Sequence, residues 1–391
     1  MRKALFAVLM VGATMGLGGK LMGQTVCPGF SIVVNTPEDE LTLAYNGAEN
    51  PQDQVAALDT FMQAHADSKF VPCAEEYYTM AYLKLNNYDK VIEHGEKALT
   101  LNHRDMMVTL NLARAYVALG KVSDAAFDAI LGAGDVIKTE GTPSRQSGIS
   151  DDEFKKVQDE AAAQAKDWRA YVEYAFFQLI QREPDGNKRV QWLEKFAQTY
   201  ADTPNVAQLN FNFFLAYKMA NQADKEFEYG EKAVTADPGN AFAANLLGYD
   251  YAFTRNNPDR AAELAKKAMD AAQQMKKAEG TADDQFKTDQ NNQLGMAHLT
   301  LGYAAYAKAA AAKSRKVGPA IEDLKAAAEV LAANPNLQAQ ANYLLGNAYE
   351  FLSPPNHAGA VDALTKAAGS ANPWQPQAQD LLGKVKKAAK M

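Results

Sequence analysis

The sequence predicts an all-α chain stacked as an α-solenoid of helix-turn-helix units, and three observations carry that expectation. A two-helix pattern between Val206 and Asn240 returns immediately downstream, so that Phe213, Phe214 and Tyr217 are answered by Leu247, Gly248 and Tyr251. The chain also matches itself, without a gap, at one constant longer shift: Leu58, Phe61, Gln63, Ala66 and Asp67 meet Leu193, Phe196, Gln198, Ala201 and Asp202. In the same register Gly95, Glu96, Lys97, Ala98 and Thr100 meet Gly230, Glu231, Lys232, Ala233 and Thr235, and Leu112 and Tyr116 meet Leu247 and Tyr251. Finally, glycine and proline punctuate the ends of units, and no long run of alternating β-branched residues appears. A length of 391 residues would otherwise suggest two or three domains. In a stack, each unit exposes an apolar face that only its neighbour covers, so one elongated body is expected instead.

The chain opens on Met1, Arg2 and Lys3, a short apolar run from Ala4 to Gly19, and a small polar exit at Gly23 and Gln24. This is the pattern of an export signal over residues 1–23. The run is shorter than the ~20 residues needed to cross a bilayer, so no integral membrane span is expected once it is removed. Val26 stands where a lipid-attachment signal carries a small residue, which disfavours lipidation at Cys27. Removing residues 1–23 takes away Arg2, Lys3 and Lys20 and no acid, so the net charge of −7 becomes −10. Such acidity argues against nucleic acid and anionic lipid as main partners. The expected location is periplasmic or secreted. There the two cysteines, Cys27 and Cys73, either pair as a disulfide tying the leading segment to the first repeat or remain as thiols; spacing alone does not report their Cα separation.

Residues 24–50 read as an irregular lead-in, because Ile32, Val33, Val34, Thr36 and Pro37 suggest extended chain. Residues 51–138 hold the N-terminal repeats. A helix from Asp53 to Ala66 comes first, then a unit from Pro72 to His103 with Tyr78 and Tyr82 in its first helix and Val91, Gly95 and Ala98 in its second. The next unit carries Leu112, Ala113 and Tyr116, then Gly120 at the turn and Ala125 beyond it. Ala98, Ala113 and Ala125 let helix backbones approach, while the tyrosines fill the wedges. Residues 139–204 form an insert: Gly141, Thr142, Pro143, Ser144, Ser147 and Gly148 mark a loop, Asp152 to Arg182 a long helix, and Asn187 to Tyr200 its partner. A change of curvature is expected there.

Residues 205–375 hold the C-terminal repeats. After the units at Val206 and Asn240, Ala261, Ala265 and Ala268 mark a second helix running to about Lys277, followed by a polar linker from Glu279 to Asp284. Gln293 to Ala312 reads as the next first helix, with Leu301 and Gly302 at its core positions and Ala320, Leu324 and Ala327 in its partner. The last unit has Leu345, Gly346 and Tyr349, then Ala360, Leu364 and Ala367. Residues 376–391 make a capping helix, with Leu381, Leu382 and Val385 inward and Lys384, Lys386 and Lys387 outward, as an open stack requires.

A helix-turn-helix unit that recurs at about 34 residues, punctuated by Pro238, resembles the tetratricopeptide repeat family. The resemblance covers nearly all of the chain beyond the signal. It implies a right-handed superhelix, of the exported bacterial type, acting as a non-enzymatic protein-protein interaction scaffold or adaptor in the cell envelope. The working surface it implies is the concave wall lined by the first helix of each unit. Carried over residue by residue, the inward positions are Phe211 and Leu215, then Asn245, Tyr249 and Phe253, then Leu299, Tyr303 and Tyr306, then Tyr343, Asn347 and Phe351. Rings give large contact area at small entropic cost and asparagine pairs with a peptide backbone, so the wall suits a protein or peptide partner. The same rings can instead pack between units.

Relatives that clamp a C-terminal carboxylate use Lys and Asn at two groove positions of the first repeat. Here those places hold Glu76 and Met80, and that mode is not expected. Two further readings stay open: a periplasmic binding protein for oligosaccharide or cell-wall fragments, and an accessory subunit of an outer-membrane assembly or secretion machine. No enzyme, metal site or cofactor is expected. His65, His94, His103, His298 and His357 form no short-spaced ligand pair, no glycine-rich phosphate loop or nucleophile elbow occurs, and carboxylates on exposed helix faces ordinarily serve as solvating charge.

Overall fold

In the computed structural model, residues 32–101, 103–145, 148–369 and 371–390 are described, and every regular element among them is a helix. The export signal expected over residues 1–23 and Cys27 lie outside the described residues. Two compact units divide the described chain. One reaches to Pro204 and adds Leu215–Asn221; the other comprises Asn205–Phe214 and the chain from Gln222 onward.

The first unit contains α1 (Pro37–Gly47), α2 (Pro51–Ala64), α3 (Val71–Lys84), α4 (Tyr88–Thr100), α5 (Met106–Leu119), α6 (Asp124–Glu140), α7 (Asp151–Ile180) and α8 (Gly186–Thr199). Each helix packs on the next, while α3, α5 and α7 also touch in series, as do α6 and α8. That pattern, nearest neighbour plus next-but-one, is how paired helices stack into a repeat array. The lead-in expected to be irregular contains a helix. The Thr36 hydroxyl accepts the Asp39 N–H, Pro37 opens the first turn, and Glu38, Asp39 and Glu40 stand at the positive end of the helix dipole. Leu41 and Tyr45 then bury against Leu58, Phe61, Phe70 and Tyr77. The signals were all in the sequence; the flanking β-branched Ile32, Val33 and Val34 masked them.

Ser150 and Glu153 form a reciprocal capping box that starts α7, a helix of 30 residues. The boundaries of the insert shift slightly, since Thr139 and Glu140 belong to α6 and the long helix opens at Asp151 rather than Asp152. Cys73 is buried in the first turn of α3 and is disulfide-bonded.

The helix α9 (Val206–Met219) contributes its beginning to the second unit. There follow α10 (Ala223–Ala236), α11 (Ala241–Phe253), α12 (Pro258–Gln273), α13 (Asp283–Ala311), α14 (Gly318–Val330), a 3-10 turn at Leu331–Ala333, α15 (Pro335–Phe351), α16 (His357–Ala368) and α17 (Gln375–Ala388). From α10 onward each packs on the next, and α11, α13, α15 and α17 touch in series. Two boundaries differ from expectation. α12 stops at Gln273 rather than near Lys277, and α13 starts at Asp283, well before the expected Gln293. Asp283 and Asp284 occupy its first turn, where they favour helix initiation, so the apparent polar linker is partly helix.

The longer internal shift, the one that carries Gly95 to Gly230, reappears as duplicated contacts, each within its own unit. A Cβ added to Gly95 would lie 2.6 Å from Leu112, and one added to Gly230 would lie 2.6 Å from Leu247. Glycine is required at both because α4 and α5, like α10 and α11, close to within a side chain's width. Glu93 is bridged by Lys90 and Lys97 at 2.7 and 3.0 Å, and Glu228 by Lys225 and Lys232 at 2.8 and 2.7 Å. The Tyr116 hydroxyl donates to Glu96, and Tyr251 pairs with Glu231.

Candidate functional site

The second unit brings the predicted groove residues onto the consecutive first helices α9, α11, α13 and α15. Close packing behind that face is set by glycine: a Cβ on Gly302 would lie 2.6 Å from Leu324, and one on Gly346 2.5 Å from Leu364. With each first helix pressed onto its partner, the tyrosines and phenylalanines beside that contact meet across neighbouring units. Phe253 of α11 stacks on Tyr303 of α13 at 4.1 Å between centroids, and Tyr249 lies 4.4 Å from Phe253. Tyr306 meets Phe351 edge-on at 5.6 Å, and Tyr343 stacks on Trp374 at 5.4 Å. Phe211 stands apart from this row, edge-on to Phe214 and Phe242.

All the rings of the row are partly exposed, so each is held by neighbours and still offers surface. Burial and the nearby Tyr343 and Tyr303 hydroxyls raise the Tyr306 phenol above its ordinary value, which keeps it a neutral donor. Tyr249 exchanges hydrogen bonds with the buried Gln340 side chain, at 3.3 and 3.0 Å. Arg315 lies 4.4 Å over the Phe351 ring and donates to the Phe351 carbonyl, placing a cation at one edge.

The two asparagines behave differently. Asn347 is partly exposed and donates to the Tyr343 carbonyl, leaving its Oδ1 without a donor among the described residues. Asn245 is wholly buried; its Nδ2 donates to the backbone and side-chain oxygens of Gln293 at 2.9 Å, and its Oδ1 is buried without a partner. It joins α11 to α13 and presents nothing at the surface, which corrects its expected groove role, and Leu299 of α13 is likewise wholly buried, in the core with Leu324 and Leu345. Asn245 shares a helix face with Tyr249 and Phe253, and it is buried because Gln293 of α13 covers it.

Other groupings were invisible in the sequence. Glu173, buried in α7, accepts from Arg169 at 2.7 Å and from Thr203 at 2.6 Å, and Arg169 also grips Asp202. Glu76, His103 and Asp105 converge in the first unit although the reading of scattered histidines expects no ligand set. Burial raises the Glu76 carboxyl to about 7, with the His103 hydrogen bond opposing. Hydrogen bonds to Asp105 and Glu76 raise His103 to about 9. Only contact between segments far apart in sequence could have revealed this cluster. Among the described residues, no helix is long and apolar enough to cross a membrane.

No family model matches the chain, and no curated protein matches it. Among solved structures, a chain in the crystal structure of the APC/C hetero-tetramer Cut9-Hcn1 is similar over 91% of this chain and 91% of that one, with 12% identity and a TM-score of 0.28. A score that low adds nothing to the assignment, which stands on helix order and contact pattern alone: the chain is an all-α helical repeat solenoid.

Proposed function

We propose that this chain is a tetratricopeptide-like, non-enzymatic scaffold of the cell envelope that binds a polypeptide partner through the first-helix face of its second unit. The observation that carries this reading is the row of partly exposed rings from Tyr249 through Phe253 and Tyr303, continued by the Tyr306 and Phe351 pair and the Tyr343 and Trp374 pair. Rings already stacked on one another lose little freedom when a ligand covers them, and aromatic anchors dominate the energetics of protein interfaces. Asn347 Oδ1 and the Tyr306 hydroxyl add the polar groups that a peptide backbone needs. Export rests on the sequence pattern of residues 1–23.

The test is affinity capture from an envelope extract with the exported protein as bait, comparing wild type with Tyr303→Ala plus Tyr343→Ala. Tyr249 is left intact because it also holds the buried Gln340. Each hot-spot ring is worth about 2 kcal/mol, so captured partner should fall at least tenfold while far-UV circular dichroism is unchanged. Undiminished capture with intact helicity overturns the reading and leaves the rings as packing between units. If bound protein is unchanged but a cell-wall oligosaccharide is released, the face is a glycan site instead.

A further inference from the structure

We propose that Glu76, His103 and Asp105 form a binding site for one divalent transition-metal ion of the zinc class. Helix α3 supplies Glu76, the segment between α4 and α5 supplies His103, and Asp105 is the N-cap of α5. One ligand atom from each lies within 4.8 Å of the others. His103 Nε2 faces Glu76 Oε2 at 2.8 Å and Asp105 Oδ2 at 3.2 Å. Metal arms of ~2.0–2.1 Å give a tetrahedron with ~3.3 Å edges, and the two separations from His103 are close to that length. An ion would replace the proton that His103 now shares with the two carboxylates.

The surroundings support a ligand set beyond a simple ion pair. Asp105 uses its Oδ1 to accept the Val108 N–H at 2.8 Å, which fixes the carboxylate plane and turns Oδ2 toward His103. Outer hydrogen bonds of that kind orient metal-ligating groups. Glu140, which accepts the Met106 N–H, adds a third acid close enough to interact with Asp105. Against these three acids stands one imidazole, and no lysine or arginine pairs with any of them among the described residues. Glu76 and Asp105 are buried on either side of His103, and a cation bound there would offset the cost of burying two carboxylates. The Tyr77 hydroxyl, buried without a hydrogen-bond partner, lies within electrostatic range of Glu76.

The experiment uses untagged, oxidised full-length protein, because a histidine tag or a reduced thiol would itself take up zinc. After chelator treatment and exchange into metal-free buffer, Zn2+ is titrated by calorimetry, and Co2+ uptake is followed by visible absorption. One ion per chain, a rise in unfolding temperature with Zn2+, and Co2+ bands of low-symmetry nitrogen and oxygen coordination are expected. Glu76→Gln, which keeps the shape of the side chain, should weaken binding at least tenfold, and Asp105→Asn likewise. His103→Gln should abolish the Co2+ bands. Absence of stoichiometric uptake by wild type, or uptake unchanged in the Glu76→Gln and Asp105→Asn proteins, overturns the proposal and leaves an ion-pair cluster only.

Discussion

Substituting Gly95 tests the close approach of α4 and α5 directly. A Cβ at this position would lie 2.6 Å from both Cγ and Cδ2 of Leu112 and 3.1 Å from Cδ1. Carbon atoms rest at ~3.5–4.0 Å, so the new methyl intrudes by ~1 Å. Leu112 is wholly buried and cannot yield toward solvent. Overpacking of this kind costs about 1–3 kcal/mol, while alanine is a better helix former than glycine by about 1 kcal/mol. Gly95→Ala should therefore destabilise by about 0–2 kcal/mol. Leu112→Ala alone should cost about 2–5 kcal/mol. In the double variant the clash is gone and the added methyl takes part of the vacated space. Its loss should fall short of the sum by about 1–3 kcal/mol. Urea unfolding followed by circular dichroism gives the cycle, and amide exchange in α4 and α5 locates it, since repeat arrays open unit by unit. Additive losses, or a Gly95→Ala protein stabilised by the full helix-propensity gain, would show that the helices are not in contact as described.

Hydrogen bonds from Lys90 and Lys97 hold Glu93 at about 2, and Lys225 and Lys232 hold Glu228 at about 2. Both folded values lie below the usual carboxylate value, so any stabilisation is present above the unfolded pKa and disappears as pH falls toward 2. Because both glutamates are exposed, the effect on stability is small and the sharper readout is the titration itself. Carboxyl NMR should give two matching low midpoints that rise in strong salt; ordinary midpoints in dilute buffer would refute the bridges. For the cysteines, the unfolded protein should show no reactive thiol before reduction and two after it, with one disulfide-linked peptide containing Cys27 and Cys73. Two reactive thiols without reductant would rule the link out.

What could be read from the sequence was whatever repeats or lies close along the chain. Gly95, Leu112 and their counterparts Gly230 and Leu247 were visible because duplication placed like residues at a constant interval. The aromatic positions from Tyr249 to Tyr343 followed from helical phase, which holds wherever neighbouring helices keep the regular spacing. Phase says nothing of cover, and Asn245, on the same face as Tyr249 and Phe253, is buried under Gln293 of α13. Polar clusters were hidden for a different reason. Glu76 and His103, or Arg169 and Asp202, are joined by side-chain reach between a helix and a distant connecting segment, and hydropathy periodicity carries no trace of which charges will face each other. The helix at Pro37 was missed because the β-branched Ile32, Val33 and Val34 before it outweighed its own capping signals.

The doubled contacts have a bearing on engineering. Between Tyr88 and Tyr116, the lysine clasp on Glu93, the glycine facing Leu112 and the phenol on Glu96 each find both members inside one stretch. Ala223 to Tyr251 carries the same set. Such a segment travels as a cassette: transplanted into the other's place, it arrives with its counterparts already aboard and asks only that the receiving ends fit.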